Sequence, residues 1–536
     1  MNSESVILIG LDGIGFNEVK PWLSDGTLSN ISEVAGSCNN INLHSTHPPW
    51  TPCAWPSLLS GRNPGQHGVF DFFSTQAYDK QLIDRHSVDA PYIFDAIDSK
   101  DHTSISINYP VTHPVSELEN GASVPGYLAP EEAEFYPEGI REKYEAKYGE
   151  YVIYPEYGIN SDAVSEYVNV ARHRRDMARF LDDNYDWDLL AVQFQVTDSV
   201  FHDLNDRNKI CQVLKNVDKF VSEIIDLGND STTVIIVSDH GMGDYDWTFY
   251  VNSWLAEHGY LETTEGDAQY FRQQKKELKG DEDAIDNLSI TTTAVRTASN
   301  ALSKVGFPPR RIHSTLETIG LASYIERILP SDALVAAQNQ VVDHANSTAY
   351  QLLFNSLGIE LNIEGRETHG TVSPKEYKKI RSELINELEE ARDPDGNLVF
   401  DSVQPREEVY DGKHLEDAPD IVLFPRDFRY DVSGSMFDTF RRFQHKNHKP
   451  EGILISNRDL NVDPEEGASI YDIAPTVAAE LGIPVDTQTD GQVLTDIKEK
   501  VKREDWDELA GDYANKGLDQ DTSSVKDHLA DLGYME

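Results

Sequence analysis

The sequence predicts an α/β fold: a central, mostly parallel sheet flanked by helices, with an inserted helical cap. Three observations predict it. Residues 5–15, SVILIGLDGIG, form an unbroken apolar run that ends in Asp-Gly. That is the pattern of a strand buried on both faces and followed by a tight loop. The pattern recurs at 186–198, DWDLLAVQFQVTD, and at 232–243, TTVIIVSDHGMG. Around the second run lie amphipathic stretches at helical spacing, SEYVNVARHRRDMARFLDDNY before it and KICQVLKNVDKFVSEIIDLG after it, the latter with a glycine stop. Strands alternating with helices of this length read as crossover units of a parallel sheet.

Further along, the texture changes. Residues 265–345 are polar and helix-like, without buried strands, and read as a cap or lid inserted into the catalytic core. Residues 347–367 return to strand-like text, and 373–393, SPKEYKKIRSELINELEEARD, is a surface helix. APDIVLFP (418–425) and EGILIS (451–456) are later strands, and SIYDIAPTVAAELGIPV begins a late helix stopped at Gly482-Ile483-Pro484. The division expected is a core of residues 1–264 and 346–495, a cap of 265–345, and an acidic C-terminal helix or tail of 496–536. A helix is expected near IKEKVKREDWDELAGDY.

The charge balance is extreme. Asp and Glu number 93 against 46 Lys and Arg, a formal net charge of −47 spread along the whole chain. Self-repulsion of that size opposes compactness in dilute salt and is screened in concentrated salt, where the Debye length falls to roughly 3 Å at 1 M. The expectation is a halophile's solvated surface. A chain of this sign does not bind nucleic acid through a general basic field. Cys38, Cys53 and Cys211 share no metal-type spacing, and their odd number argues against a disulfide framework. The N-terminus runs from polar residues straight into a strand, unlike a signal peptide, and no run of ~18 apolar residues suggests a membrane span. The expected address is cytoplasmic.

In parallel α/β sheets ligands gather beyond the carboxyl ends of the strands. Three strands end there in aspartate: Asp12, Asp198 and Asp239. Any one of these could be a turn or capping residue. Together, with His240 directly after Asp239 and His202 four residues after Asp198, they point to metal ligation by mixed oxygen and nitrogen donors. Residues at i and i+4 face one way on a helical turn, so Asp198 and His202 can grip one ion. A two-metal phosphoryl site also needs a nucleophile. Thr51 sits in the loop STHPPWTPCAWPSLLSG at the start of a helix, where backbone N–H groups favour phosphate.

ILIGLDGIG, TPCAWPSLLSGRNPGQHGV, TDSVFHDL, VSDHGMG and NHKPEGILIS, in that order, resemble the alkaline phosphatase superfamily, closest to its type I phosphodiesterase/nucleotide pyrophosphatase branch. The resemblance spans roughly residues 5 to 490 and implies an alkaline-phosphatase-like core. It implies that Asp12, Thr51, Asp239 and His240 bind one divalent ion. Asp198 and His202 bind a second, completed by His448 in NHKPEGI, with His445 as the competitor. Two ions are implied, usually zinc and in some members manganese. Thr51 would be the nucleophile, passing through a phospho-threonine that water then hydrolyses. In this picture Asp239 and His240 share one strand tip because both hold the same ion.

The chain also departs from the family pattern. Where sulfatases carry a modified Cys or Ser with Arg four residues on, this chain has Thr51 and Trp55, which argues against a sulfatase. Where nucleotide pyrophosphatases place an Asn on the phosphoryl oxygen, Phe72 stands beside Asp71, leaving that contact to the backbone N–H of Cys53 or to other loop donors. Trp50, Trp55 and Phe72 are candidate substrate-binding residues, with loop packing the alternative for the two tryptophans. Cys53 reads as a buried small hydrophobe, His67 as structural, and His369 as outside the ligand set. The function expected is a metal-dependent phosphohydrolase, a phosphodiesterase or nucleotide pyrophosphatase-like enzyme acting on a small-molecule phosphate ester that is nucleotide-linked, lipid-linked or sugar-linked. The alternatives are a phosphomonoesterase or phosphomutase of the same superfamily, or a binding protein that keeps the fold without catalysis.

Overall fold

The computed structural model describes residues 5–35, 41–155, 162–265, 340–353, 356–496 and 501–508. Its centre is an eight-stranded sheet. The strands lie in the order Ala468–Ser469, Ile41–His44, Glu451–Ser456, Thr233–Val237, Val6–Leu11, Leu189–Phe194, Ser104–Ile107, Gly121–Val124. Glu451–Ser456 runs antiparallel to both its neighbours, and the other pairings are parallel. The fold class is the one the sequence predicts.

Val6–Leu11, Leu189–Phe194 and Thr233–Val237 are buried along their whole length, as the unbroken apolar runs require. Each Val, Leu or Ile taken fully out of water there contributes about 1.5–3 kcal/mol. Helices Ala163–Asp182 and Arg207–Ile225 pack on each other and cover the sheet. The second starts cleanly because the Asp206 side chain accepts from the Asn208 N–H. It buries the stripe Ile210, Val213, Leu214, Val217, Phe220, Val221 and Ile224.

Among the described residues, a three-stranded and a four-stranded sheet flank the central one, alongside three two-stranded ones. Gly241–Tyr250 lies between Tyr430–Ser433 and Phe440–Lys449. A four-stranded sheet runs Ala349–Tyr350, Gly358–Leu361, Ile421–Pro425, Phe400–Pro405. The strand in APDIVLFP therefore belongs to this separate antiparallel sheet. An apolar cluster that includes Trp50, Cys53, Phe249, Ile359 and Leu423 joins it to the loop around Thr51. The helix in 373–393 forms over Tyr377–Glu389, and the late helix over Ile473–Glu480.

Residues 266–339, nearly all of the expected cap, lie outside the described residues. The segments on either side of them pair antiparallel, Thr263–Glu265 with Gln340–Val342. Where the sequence predicts a helix near 497–513, the described part forms a short strand, Arg503–Glu504, on Val485–Asp486, followed by a single 3-10 turn. The reason is Trp506, which is buried and donates from its indole to the Pro484 carbonyl, docking this stretch on the core. Among the described residues no helix is long and apolar enough to cross a membrane. Cys53 and Cys211 are free thiols, and Cys38 lies outside the described residues.

Candidate metal centre

The strand tips converge as the parallel sheet dictates. Val6–Leu11 pairs with both Leu189–Phe194 and Thr233–Val237, so Asp12, Asp198 and Asp239 emerge at the same edge. The chain turns directly after His240 into the strand Gly241–Tyr250. That strand pairs antiparallel with Phe440–Lys449, with Met242 opposite His448, and this register carries His448 to the same edge. Gly13 closes the floor. It takes φ +67°, its N–H donates to Asp239 Oδ1 at 3.2 Å, and a Cβ there would stand 2.6 Å from Asp198 Oδ1.

Two groups of donors result. In the first, His240 Nε2 lies 3.3 Å from Asp239 Oδ2, 3.6 Å from Asp12 Oδ1 and 3.3 Å from Thr51 Oγ1. Thr51 Oγ1 is 3.4 Å from Asp12 Oδ1. In the second, Asp198 Oδ1 lies 3.3 Å from His202 Nε2 and 3.6 Å from His448 Nε2, and the two imidazole nitrogens are 3.0 Å apart. The rings of His240 and His448 stack at 3.9 Å and join the groups. His240 and His448 also close a ligand set of their own with Asp198. His240 Nδ1 faces the Gly241 carbonyl at 3.0 Å, which leaves Nε2 turned towards Thr51.

The donor set suits divalent cations. Burial, followed by the fields of Asp239 and Asp198, pushes Asp12 well above the usual carboxylate range. Burial and Asp198 do the same to Asp239. Burial also opposes the charge of Asp198, but His202, then His448 and His240, outweigh it and hold Asp198 below its ordinary value. His202 is raised in turn, because Asp198 overcomes its burial. Burial and His240 push His448 well below the ordinary imidazole value. Asp239 Oδ2 is buried with no hydrogen-bond donor among the described residues. Three buried carboxylates so close together are costly without a compensating cation, and a bound cation would reverse the upward shifts.

Thr51 opens the helix Thr51–Ser60, which ends at Gly61 in the left-handed conformation. Asp198 and His202 sit on the helix Val196–Asp203, one turn apart. His445 stands apart, engaging Asp431 at 2.8 Å. His67 is buried against Ser57 Oγ at 2.8 Å, its imidazole pushed down to about 3 by burial, and His369 lies beside Tyr78. Cys53 is fully buried and burial pushes its thiol up, so it is inert as a nucleophile. One expectation is corrected: the Cys53 backbone N–H already donates to the Trp50 carbonyl at 2.8 Å and is not free for a phosphoryl oxygen.

The aromatic candidates separate. Trp50 is buried edge-on to His448, ring centroids 5.2 Å apart. Phe72 is buried edge-on to Tyr127. Trp55 has no exposed surface, and its indole N–H donates to Asp12 Oδ2 at 2.9 Å, behind the oxygen that faces Thr51. Gln193, which sequence reasoning passed over, donates to the same oxygen at 2.7 Å. Its signal is a polar residue in the middle of an apolar run, LLAVQF.

The family model described as Type I phosphodiesterase / nucleotide pyrophosphatase matches residues 6–308, more than half of the chain. No curated protein matches. Among solved structures, the phosphonoacetate hydrolase from Sinorhizobium meliloti 1021 in complex with phosphonoformate is similar at 16% identity. The match has a TM-score of 0.50 and covers 88% of this chain and 94% of that one. A mutant of the alkaline phosphatase PafA is similar at 9% identity and TM-score 0.49, over 92% and 98% of the two chains. Murine ectonucleotide pyrophosphatase / phosphodiesterase 5 is similar at 12% identity and TM-score 0.45, over 90% and 96%. At 16% identity the likeness to the phosphonoacetate hydrolase speaks to fold alone.

Proposed function

The chain belongs to the type I phosphodiesterase / nucleotide pyrophosphatase family and is a phosphoric ester hydrolase; on that premise we propose that it cleaves phosphodiesters at a two-metal site through a phospho-threonine. The observation that carries the reading is the position of the Thr51 hydroxyl, 3.4 Å from Asp12 and 3.3 Å from His240, with the Asp198–His202–His448 group joined to it through the stacked imidazoles.

Asp12, Asp239, His240 and Thr51 would hold one ion and Asp198, His202 and His448 the other, with zinc or manganese suited to these donors. When bound, such a pair supplies charge neutralisation for the phosphoryl oxygens and lowers the pKa of a hydroxyl or water. Thr51 Oγ gives up its proton and attacks phosphorus, the bond to the leaving oxygen breaks and that oxygen takes up a proton, and the phosphoryl group, still esterified to the other alcohol, is carried on the threonine. Water then attacks the same phosphorus, Thr51 Oγ departs and recovers a proton, and the phosphate monoester leaves. The stacked His240 and His448 rings and the buried carboxylates hold this geometry before substrate arrives.

The substrate class we assign is a small-molecule, lipid-linked or sugar-linked phosphodiester. Phe72, buried against Tyr127, offers no polar group for a phosphoryl oxygen where nucleotide pyrophosphatases are expected to carry Asn, which weighs against nucleotide pyrophosphatase activity. Metal analysis and steady-state kinetics test the reading. About two ions per chain with turnover of a bis-aryl phosphodiester is the expected result; far faster turnover of monoesters makes the enzyme a phosphatase, and ions without any ester turnover make it a binding protein.

A further inference from the structure

Asp12 is gripped from behind. Its Oδ2 accepts from Gln193 Nε2 at 2.7 Å and from Trp55 Nε1 at 2.9 Å. Its Oδ1 faces the other way, towards Thr51 and His240. Asp12, Trp55 and Gln193 have no exposed surface. Asn108 Nδ2 donates to Gln193 Oε1 at 2.8 Å and to the Gln193 carbonyl at 3.2 Å, which fixes the amide with its N–H groups towards Asp12. The Tyr109 ring braces Trp55 edge-on at 5.2 Å.

The backbone makes room for this grip. Gly10 stands opposite Gln193 in the parallel pair. A Cβ at Gly10 would lie 2.6 Å from Trp55 Cη2 and 3.0 Å from Gln193 Cγ. The glycine therefore lets the indole cross the strand two residues before the ligand. A buried amide and a buried indole N–H are costly unless bonded, and here both find the same carboxylate oxygen.

We infer that Trp55 and Gln193 are positioning residues that hold Asp12 as a ligand through one oxygen only, with Gly10 and Asn108 supporting them. Two neutral donors occupy both lone pairs of Oδ2, so it can join the coordination only by giving up at least one of these bonds. Single-oxygen ligation keeps the coordination number low, which suits a compact tetrahedral site and disfavours a larger, higher-coordinate ion such as calcium. The inference rests on the two-metal reading above and adds an assignment for residues that do not touch the ion.

The test is a titration of the metal-free full-length chain with Co2+ and Zn2+, comparing the wild type with Trp55→Phe and Gln193→Met. Two ions bind the wild type. In each variant the ion at Asp12 binds about 10–100-fold more weakly, the scale of losing such outer partners. The visible Co2+ absorption of that site weakens as its coordination number rises, while the ion at Asp198, His202 and His448 keeps its affinity. Two wild-type affinities and an unchanged spectrum in both variants overturn the inference and leave the two-metal reading standing; a wild type that binds no ion overturns both. The melting temperature of each metal-free variant separates loss of the grip from loss of the fold.

Discussion

His448 lies face to face with His240, ring centroids 3.9 Å apart and planes 23° from parallel, although the two come from distant parts of the chain. The pairing of Met242 with His448 in the outer three-stranded sheet produces the stack. Neither histidine reaches the site by its own local structure alone. The outer sheet is thus part of the candidate metal centre rather than decoration on the core.

His448→Ala is therefore expected to cost one of the two ions and to abolish phosphodiester turnover. His445→Ala, three residues away on the same strand and held by Asp431, is expected to retain both ions. Metal content after dialysis, measured by atomic emission, separates the two variants. Loss of the second ion in His445→Ala with retention in His448→Ala would reverse the assignment.

Thr51→Ala removes the only side chain proposed to bond to phosphorus. Turnover of a bis-aryl phosphodiester is expected to fall by about three orders of magnitude or more, with both ions retained. Thr51→Ser keeps a hydroxyl and is expected to keep measurable turnover and to be trapped as a phospho-enzyme on rapid quench. Wild-type rates in Thr51→Ala would exclude the threonine intermediate.

Glu360 gives a pH dependence that is independent of the metal centre. Burial pushes its carboxyl up to about 8, against a bond from the Leu352 N–H at 3.2 Å. In the unfolded chain a glutamate releases its proton near pH ~4.3. Between that value and about 8 the folded state holds a proton the unfolded state has lost, so this contribution to stability is complete at low pH and disappears as pH rises. Glu360→Gln is expected to flatten the fall and to be the more stable protein at pH 8.5, by roughly 2–3 kcal/mol after allowance for solvent screening. Denaturant unfolding at pH 5 and 8.5 measures it, and equal slopes in both proteins would contradict it.

The net charge of −47 gives the salt prediction. The melting temperature is expected to rise as KCl is raised from about 0.1 M towards molar concentrations, because screening relieves repulsion among surface carboxylates. A fall over that range would remove the halophilic reading.

Much of the site was legible because its residues break local rules. Carboxylates just beyond buried, largely apolar strands have no structural reason to recur, and Asp12, Asp198 (in the first turn of the helix that follows its strand) and Asp239 emerge at one edge because parallel pairing aligns strand ends. His202 followed from helical spacing. What was not legible depends on pairing between distant segments. Nothing local in GMGDYDWTFY says that it leaves the central sheet to join Phe440–Lys449. Trp55 next to a nucleophile reads as a pocket wall, yet its direction is decided by the space over Gly10, which a one-dimensional pattern does not display. Trp506 sits in charged text that reads as a helix or tail, and only its burial shows why the backbone extends there.

The most direct measurement is anomalous diffraction at the zinc edge from crystals of the full chain soaked with Zn2+ and vanadate. Two peaks are expected, one enclosed by Asp12, Asp239, His240 and Thr51 and one by Asp198, His202 and His448, with vanadium bonded to Thr51 Oγ. A single peak shared by Asp198, His240 and His448, or vanadium remote from Thr51, would contradict the two-metal, threonine-based centre.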